Sequence, residues 1–184
     1  MTPPPITAIV YSPGASIDIL MRDLAEHLRE RGWRLAGFIQ INKPRAHGPR
    51  CDMILEELSS RQRIAISENR GREARGCMLD VSELVRGCQL ASTALTSQPD
   101  LLIVNKFGKT EAGGGGFCSV LVDAIERGVP VLTAVPQANF EAWQAFAGDY
   151  AETFWLVDLP RGAEDLSFRL GFDQPLAREV CVRF

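Results

Sequence analysis

Two stretches of this sequence place glycine and polar side chains directly after a short apolar run. The longer one is DLLIVNKFGKTEAGGGG, residues 100–116, and the other is YSPGASID, residues 11–18. Backbone N–H groups, hydroxyls and lysines all donate hydrogen bonds, so these residue types suit an anionic ligand. A flexible, solvated glycine loop is the alternative interpretation. The candidate ligand-binding residues are Ser12, Gly14, Ala15, Ser16, Asp18, Asn105, Lys106, Gly108, Lys109 and Glu111.

A second candidate site involves two cysteines that lie close to an arginine, namely Arg50 with Cys51 and Arg75 with Cys77. A neighbouring arginine lowers the pKa of a thiol and makes it reactive or metal-binding, whereas a lone cysteine otherwise serves as a small buried hydrophobe. The total of five cysteines, with no CxxC pair, argues against a disulfide framework or a zinc ribbon. The cysteines expected only to fill space on apolar helix faces are Cys88 and Cys118.

Hydrophobic periodicity predicts the elements that position the first loop. Ile6–Val10 is a short apolar run typical of a buried strand, and an i, i+3, i+4 pattern predicts a helix that begins near Ile17 and stops at Gly32. Trp33–Ile41 is then a second strand, which completes a strand–helix–strand unit with its turn at the helix N-terminus. The residues predicted to face inward on this helix are Ile17, Leu20, Met21, Leu24, Ala25 and Leu28.

The rest of the chain continues this alternation. Leu101–Val104 and Val131–Val135 are predicted as buried strands, and Phe154–Val157 as an edge strand. Asp80 is predicted to cap a helix, and Phe117–Arg127 to form another. The pattern predicts an α/β fold of three layers with a mostly parallel sheet, in one domain over residues 1–184, and such sheets bind ligands at the carboxyl ends of their strands. The predicted inward residues of the helix after Asp80 are Val81, Leu84, Val85, Cys88 and Leu95.

Residues 42–80 interrupt the alternation and are predicted to be an insertion. Met53–Leu58 and Arg63–Ser67 are predicted strands of a small β-hairpin that projects near the sheet edge. Arginine and lysine outnumber acids around it, so an anion-binding arm and an ordinary soluble hairpin are both compatible with its composition.

Composition excludes some classes of partner. With 184 residues, 46% hydrophobic content, a net charge of -3 and a pI near 5.5, the chain offers no general reason to expect nucleic acid or an anionic membrane as a partner. The start MTPPPITAIV lacks the features of a signal peptide, and no apolar run reaches the length of a membrane span, so we expect a cytoplasmic protein. The aromatic region around Trp143 and Trp155 makes a homo-oligomer a further expectation.

The two loops together resemble the P-loop nucleoside triphosphatase fold, specifically the small thermophile-type nucleoside triphosphatases, over residues 6–147. In that family a G-x-x-x-x-G-K-[ST] loop holds phosphates, and acids after a later strand position magnesium. Here Ile17 stands in place of the phosphate-binding lysine and Asp18 in place of the metal-binding hydroxyl. Asn105 and Lys106 stand in place of the acids. The resemblance therefore implies the fold, while the degenerate motifs argue against conventional ATP or GTP hydrolysis.

The sequence is more closely similar to a bacterial family of unknown function encoded in molybdenum-transport operons, whose members look like degenerate versions of the same fold. The resemblance covers most of the chain and implies an association with molybdate handling. The segments that carry it are Ile9-Val10-Tyr11, Cys51-Asp52-Met53, Ile66-Ser67, Arg75-Gly76-Cys77, Leu79-Asp80 and residues 102–109.

Three functions are compatible with these residues. In the first, a non-hydrolytic protein of molybdenum homeostasis binds an oxyanion such as molybdate, or a nucleotide-derived ligand, with Lys106 and Lys109 in place of magnesium. In the second, a nucleoside triphosphatase holds a metal with Asp18 and Glu111. In the third, an interaction module uses the basic hairpin and no small-molecule ligand.

Asp18 would repel a dianion unless a cation neutralises it, and Glu111 is expected to hold a lysine in the same way. The candidate partners of Asp18 are Lys106, Lys109 and Arg22.

Overall fold

The computed structural model describes residues 5–44, 51–68 and 78–172. In chain order, the strands are β1 (Ile6–Tyr11), β2 (Leu35–Pro44), β3 (Cys51–Glu57), β4 (Arg63–Ala65), β5 (Ser67–Glu68), β6 (Met78–Leu79), β7 (Leu101–Val104), β8 (Val131–Pro136) and β9 (Ala151–Trp155). The α-helices are α1 (Ile17–Glu30), α2 (Val81–Leu95), α3 (Lys109–Ala112), α4 (Cys118–Glu126), α5 (Phe140–Ala147) and α6 (Ala163–Arg169). Short 3₁₀ turns occupy residues 137–139, 148–150 and 156–158.

In the described part of the chain, one large sheet has the strand order β4-β3-β2-β7-β8-β1-β9. The neighbours from β2 to β9 in this order pair in parallel, whereas β3 and β4 are antiparallel. All residues of β7 are buried, and β1 and β8 are buried except at their last residue. Strands this apolar suit a sheet that helices cover on both faces. The predicted mostly parallel α/β sheet is confirmed.

Helices lie on both faces and bury two apolar clusters. On one face, α1 and α6 contribute Met21 and Leu166 to a cluster with the sheet. On the other face, α2, α4 and α5 contribute Leu84, Val120 and Trp143. The arrangement is therefore three-layered, as the alternation of strands and helices predicts. None of the described helices combines the length and the apolar character needed to cross a bilayer.

The segment predicted as an insertion extends the sheet. β3 pairs with β2 along its whole length, and β4 continues the hairpin after the turn at residues 58–60. Glu56, which is 3% exposed, lies 3.1 Å from Arg61 and 2.7 Å from Arg63 in two ion pairs. The hairpin is confirmed, but the expectation that it projects is wrong for its described part, because the hairpin is itself the edge of the sheet. Two arginines share the single carboxylate of Glu56, so this trio keeps one net positive charge.

The buried face of α2 differs from the predicted one. Val81 and Val85, expected to face inward, are 67% and 51% exposed. The helix instead turns Gly87 and Ala91 toward the sheet, together with Leu84. A Cβ atom on Gly87 would lie at van der Waals distance from two rings, 3.5 Å from Phe117 and 3.8 Å from Phe38, so this part of α2 packs directly on aromatic side chains. An apolar pattern rich in valine does not reveal that a glycine lies at the contact.

One further boundary and one additional element differ from the predictions. The edge strand expected at Phe154–Val157 is β9, which ends at Trp155 because residues 156–158 turn into a 3₁₀ helix. The glycine-rich loop also contains α3, a single turn that the sequence pattern does not predict.

Gly37 in β2 provides a test of how closely β2 and β7 approach. Its φ is +91°, and a Cβ atom there would lie 2.1 Å from the carbonyl oxygen of Ile103. We expect Gly37→Ala to lower the free energy of unfolding by roughly 3 kcal/mol, because backbone strain and a backbone clash add. Urea denaturation measures this loss.

Gly128→Ala is the matched control, since Gly128 has a φ of +69° but open space around its Cβ position. Its free energy of unfolding should fall by only about 1 kcal/mol, because backbone strain acts there without a clash. Equal losses in the two variants would contradict the close approach of the strands.

Candidate functional site

The two predicted loops meet at the carboxyl edge of the sheet through an ion pair. Asp18 lies in the first turn of α1, and Lys106 follows β7. The ammonium Nζ of Lys106 lies 2.8 Å from Asp18 Oδ1 and 3.0 Å from Asp18 Oδ2. The two side chains are 25% and 20% exposed. Among the candidate partners of Asp18, the structure therefore selects Lys106, while Arg22 pairs with Asp23.

Two asparagines complete the surroundings of the Asp18 carboxylate. Asn105 Nδ2 donates to Asp18 Oδ1 at 2.8 Å, and Asn42 Nδ2 donates to Asp18 Oδ2 at 2.6 Å. Asn105 is 4% exposed, and its Oδ1 accepts the backbone N–H of Gln40 at 3.0 Å. The Gln40 side chain donates in turn to Asn42 at 2.8 Å. These contacts tie the end of β2 to both loops.

Gln40 and Asn42 are residues that the sequence reasoning missed. They alternate at the carboxyl end of β2, which is a parallel neighbour of β7. Polar residues at that end of a parallel strand are a signal that could have found them, because the carboxyl ends of such strands share one edge.

The Asp18 carboxylate also affects the pKa of Tyr11, at the end of β1. Burial, and after it the negative charge of Asp18, raises the pKa of the Tyr11 phenol to about 12. The phenol is therefore neutral throughout the physiological range, and its ring packs against the apolar cluster beneath α1.

The first loop is an exposed turn that leads into α1. Gly14 adopts a φ of +85°, and the backbone N–H of Ala15 donates to the carbonyl of Ser12 at 3.3 Å. The Ser12 hydroxyl donates to Gln137 at 3.0 Å. Ser16 occupies the N-cap position of α1, without a capping hydrogen bond from its side chain.

Ile17 follows this turn in the position where the P-loop pattern has its lysine. It is 2% exposed and belongs to the apolar cluster beneath α1. The side chain at this position is therefore part of the core and is not presented at the surface of the turn.

Glu111 organises the second loop through the backbone. Its Oε2 accepts the N–H of Gly108 at 2.9 Å, and its Oε1 accepts the N–H of Phe117 at 3.0 Å. The side chain is 6% exposed, and a Cβ atom on Gly116 would lie 2.0 Å from Oε1. The expectation that Glu111 holds a lysine is wrong, because both of its oxygens hold the glycine-rich loop closed.

Lys109 begins α3 and is exposed. Within residues 5–44, 51–68 and 78–172, its ammonium group has no hydrogen-bonding or ion-pair partner. Together with Asn105 and Lys106 it lines one side of a cavity of about 550 Å³. The two lysines thus line the same cavity but differ in pairing: Lys106 is paired with Asp18, and Lys109 is exposed and has no partner among the described residues.

The second candidate site falls largely outside the described residues. Arg50, Arg75 and Cys77 lie there, and Cys51 is described only as the first backbone position of β3. In the described ranges, no group of three or more histidines, cysteines and acids is arranged to hold a metal ion.

The other described cysteines have the protonated thiols expected of packing residues. Burial, followed by the charge of Glu111, raises the pKa of Cys88 to about 11 and also raises that of Cys118. The Cys118 thiol donates to the carbonyl of Glu111 at 3.3 Å.

Substitution of Glu111 tests its role in closing the loop. In Glu111→Gln an amide NH₂ replaces one acceptor oxygen and faces a backbone donor, so we expect a loss of about 2 kcal/mol in the free energy of unfolding. Hydrogen exchange at the amides of Gly108 and Phe117 should accelerate. Glu126→Gln, at an exposed position of α4, is the control and should change neither quantity.

A solved structure has the same fold. The solution structure of a human cancer-related nucleoside triphosphatase aligns with a TM-score of 0.65, over 91% of this chain and 96% of that one. The sequences are 18% identical, so the likeness shows the fold. It confirms the predicted fold class, a three-layer α/β fold with a mostly parallel sheet, which this chain shares with that nucleoside triphosphatase.

Two sequence comparisons place the chain among known proteins. A protein of Bradyrhizobium diazoefficiens named molybdenum import ATP-binding protein ModC 2 is 36% identical over 148 residues, which are 80% of this chain but 16% of that protein. The chain thus spans less than a fifth of the length of this relative. The model of the family described as "Protein of unknown function (DUF2478)" matches residues 6–157. The chain belongs to this DUF2478 family.

Proposed function

We propose that this chain is a non-hydrolytic relative of the P-loop nucleoside triphosphatases that binds a tetrahedral oxyanion of the molybdate type and acts in molybdenum handling in the cytoplasm. The binding residues in this proposal lie where the first loop meets the end of β7. The observation that carries it is the ion pair between Asp18 and Lys106.

The ion pair supports a loss of hydrolysis. Cleavage of a nucleoside triphosphate needs a cation on the β- and γ-phosphates and a metal held by carboxylate and hydroxyl groups. Ile17 takes the position of the cation and is buried in the core. A fixed ammonium group, that of Lys106, lies beside Asp18 at the edge where the resemblance places the metal.

The same arrangement supports binding of a small anion. The turn at Gly14 opens α1, whose first N–H groups and dipole favour negative charge. Asp18 would oppose such a ligand, but Lys106, Asn42 and Asn105 all donate to its carboxylate. The local charge is thereby close to neutral, and the helix dipole is left to attract the anion.

Molybdate is the oxyanion that the comparisons favour. The relative from Bradyrhizobium diazoefficiens carries molybdenum import in its name. Molybdate is a tetrahedral dianion with the hydrogen-bonding needs of sulfate or phosphate, so backbone N–H groups at a helix N-terminus suit it.

A nucleoside triphosphatase with a rearranged metal site is the second candidate function, and the geometry favours it less. It needs Asp18 and Glu111 as metal ligands. Both carboxylates already accept hydrogen bonds from side-chain or backbone donors. A binding module that acts through the basic hairpin is also less favoured, because Arg61 and Arg63 are paired with Glu56.

Calorimetric titration with sodium molybdate tests the proposal. We expect one molybdate per chain, and we expect Asp18→Asn to tighten binding about tenfold, because it removes a negative charge and frees Lys106. Lys106→Ala should weaken binding by about tenfold or more, because it leaves the Asp18 carboxylate uncompensated. Lys43→Ala, at an exposed position of β2, is the control and should bind as the wild type does.

Phosphate release separates this function from its alternatives. The wild-type protein with ATP and magnesium should release no more phosphate than the buffer does. Magnesium-dependent release that Asp18→Asn abolishes would establish the triphosphatase instead. No heat with molybdate, tungstate, sulfate or ATP would leave the interaction module as the better explanation.

A further inference from the structure

A cavity with an apolar floor lies on the α2 face of the sheet, between the β3–β4 hairpin and the loop after β7. Its volume is about 550 Å³. The rings of Phe38 and Phe117 meet in its floor with centroids 5.6 Å apart, and Leu55 and Ile66 lie beside them. Volumes of this order are typical of pockets for organic molecules, which are mostly lined by apolar and aromatic side chains.

The cavity has polar groups on one side, at the carboxyl ends of β2 and β7. Gln40, Asn105, Lys106 and Lys109 lie there. Lys106 is already neutralised by Asp18, whereas Lys109 is exposed and unpaired within the described ranges. The positive charge available to a ligand is therefore that of Lys109.

Glu111 also lines the cavity, and its negative charge would oppose an anion unless hydrogen bonds compensate it. Both carboxylate oxygens are directed at backbone N–H groups, at 2.9 Å to Gly108 and 3.0 Å to Phe117. A carboxylate that accepts two such bonds is stabilised in place. It fixes the loop, so the wall of the cavity is formed before any ligand binds, which lowers the entropy cost of binding.

We propose that this cavity binds a planar aromatic or heteroaromatic molecule with one anionic group, its ring on Phe38 and Phe117 and its anionic group at Lys109. Aromatic floors favour rings in offset or edge-to-face contact. A tetrahedral oxyanion alone is a poor match, since it has no apolar surface to bury against the floor of a cavity of about 550 Å³. This site adjoins the oxyanion site proposed above, with Asn105 and Lys106 between the two, but it uses a different cation and does not depend on that proposal.

A matched pair of fluorescent probes tests the proposal. The probes are 8-anilino-1-naphthalenesulfonate, which carries an anionic group, and N-phenyl-1-naphthylamine, which has the same rings without it. We expect saturable binding of one sulfonate probe per native chain. Lys109→Ala should weaken the sulfonate probe on the order of tenfold and change the neutral probe by less than about twofold. Lys43→Ala should change neither.

Filling the cavity provides a second measurement. Met53 lines it and is partly buried, so Met53→Trp places a large ring inside and should abolish saturable binding of both probes. Leu79 also lines the cavity, so Leu79→Trp serves where Met53→Trp fails to fold, as judged by its urea denaturation midpoint.

The role of Lys109, the location of the site and its independence from the oxyanion site are each tested by a different outcome. Unchanged sulfonate binding in Lys109→Ala, or an equal loss of both probes, overturns the role of the lysine. Saturable probe binding that survives both tryptophan variants overturns the location. Excess molybdate should leave the sulfonate probe bound, and displacement by stoichiometric molybdate would overturn the separation of the two sites. Absence of molybdate binding with intact probe binding would remove the proposed function and leave this site standing.

Discussion

The arrangement of the carboxyl edge depends on one half-buried ion pair. Asp18 and Lys106 come from elements 88 residues apart, and each retains a quarter or less of its side-chain exposure. A carboxylate removed this far from water is costly unless it is paired and hydrogen-bonded. The first turn of α1 and the end of β7 are therefore held together by an electrostatic requirement as well as by packing. A change at either residue leaves the other charge uncompensated.

β2 links this edge to the rest of the molecule. It lies between the parallel strand β7 and the antiparallel strand β3, so it joins the two halves of the sheet. Gly37 lets it approach β7 closely, and Gln40 and Asn42 at its far end hold Asn105 and Asp18. The strand that sequence analysis treated as plain scaffold thus fixes both the ion pair and one wall of the cavity.

Apolar periodicity in the sequence predicted the regular helices and strands. The strand–helix–strand opening and the three layers follow from apolar patterns, and capping of α2 by Asp80 follows from a local rule, since its carboxylate accepts from the N–H groups of Ser82 and Glu83. Pairing of Asp18 with a lysine followed from charge, with the choice among partners left open.

The sequence could not predict contacts that depend on tertiary distance. Opposite charge and closeness in sequence favour a pair between Glu111 and a lysine. The folded loop instead brings two backbone N–H groups within reach, and the carboxylate of Glu111 accepts hydrogen bonds from both. The buried face of α2 includes the small residues Gly87 and Ala91 and leaves Val81 and Val85 exposed, and a pattern of apolar side chains does not reveal such a face. Asn42 lay in the predicted insertion, and the extension of β2 that brings it to Asp18 was not visible in the apolar pattern.

Lys106 and Lys109 are three residues apart in the second loop, but an anionic ligand would meet a different electrostatic environment at each. An anion at Lys106 must share the ammonium group with Asp18 or displace that carboxylate, so its affinity is limited by a competitor that the chain itself provides. An anion at Lys109 meets no such competitor among the described residues, but it meets a cation exposed to water, whose attraction salt screens within about 10 Å at 0.1 M. Affinity near Lys109 must therefore come mainly from apolar contact, which the floor of the cavity offers and a bare oxyanion cannot use. The two proposed ligands thus depend on different forces: the oxyanion must compete with Asp18 for Lys106, whereas the aromatic ligand gains most from the apolar floor of the cavity.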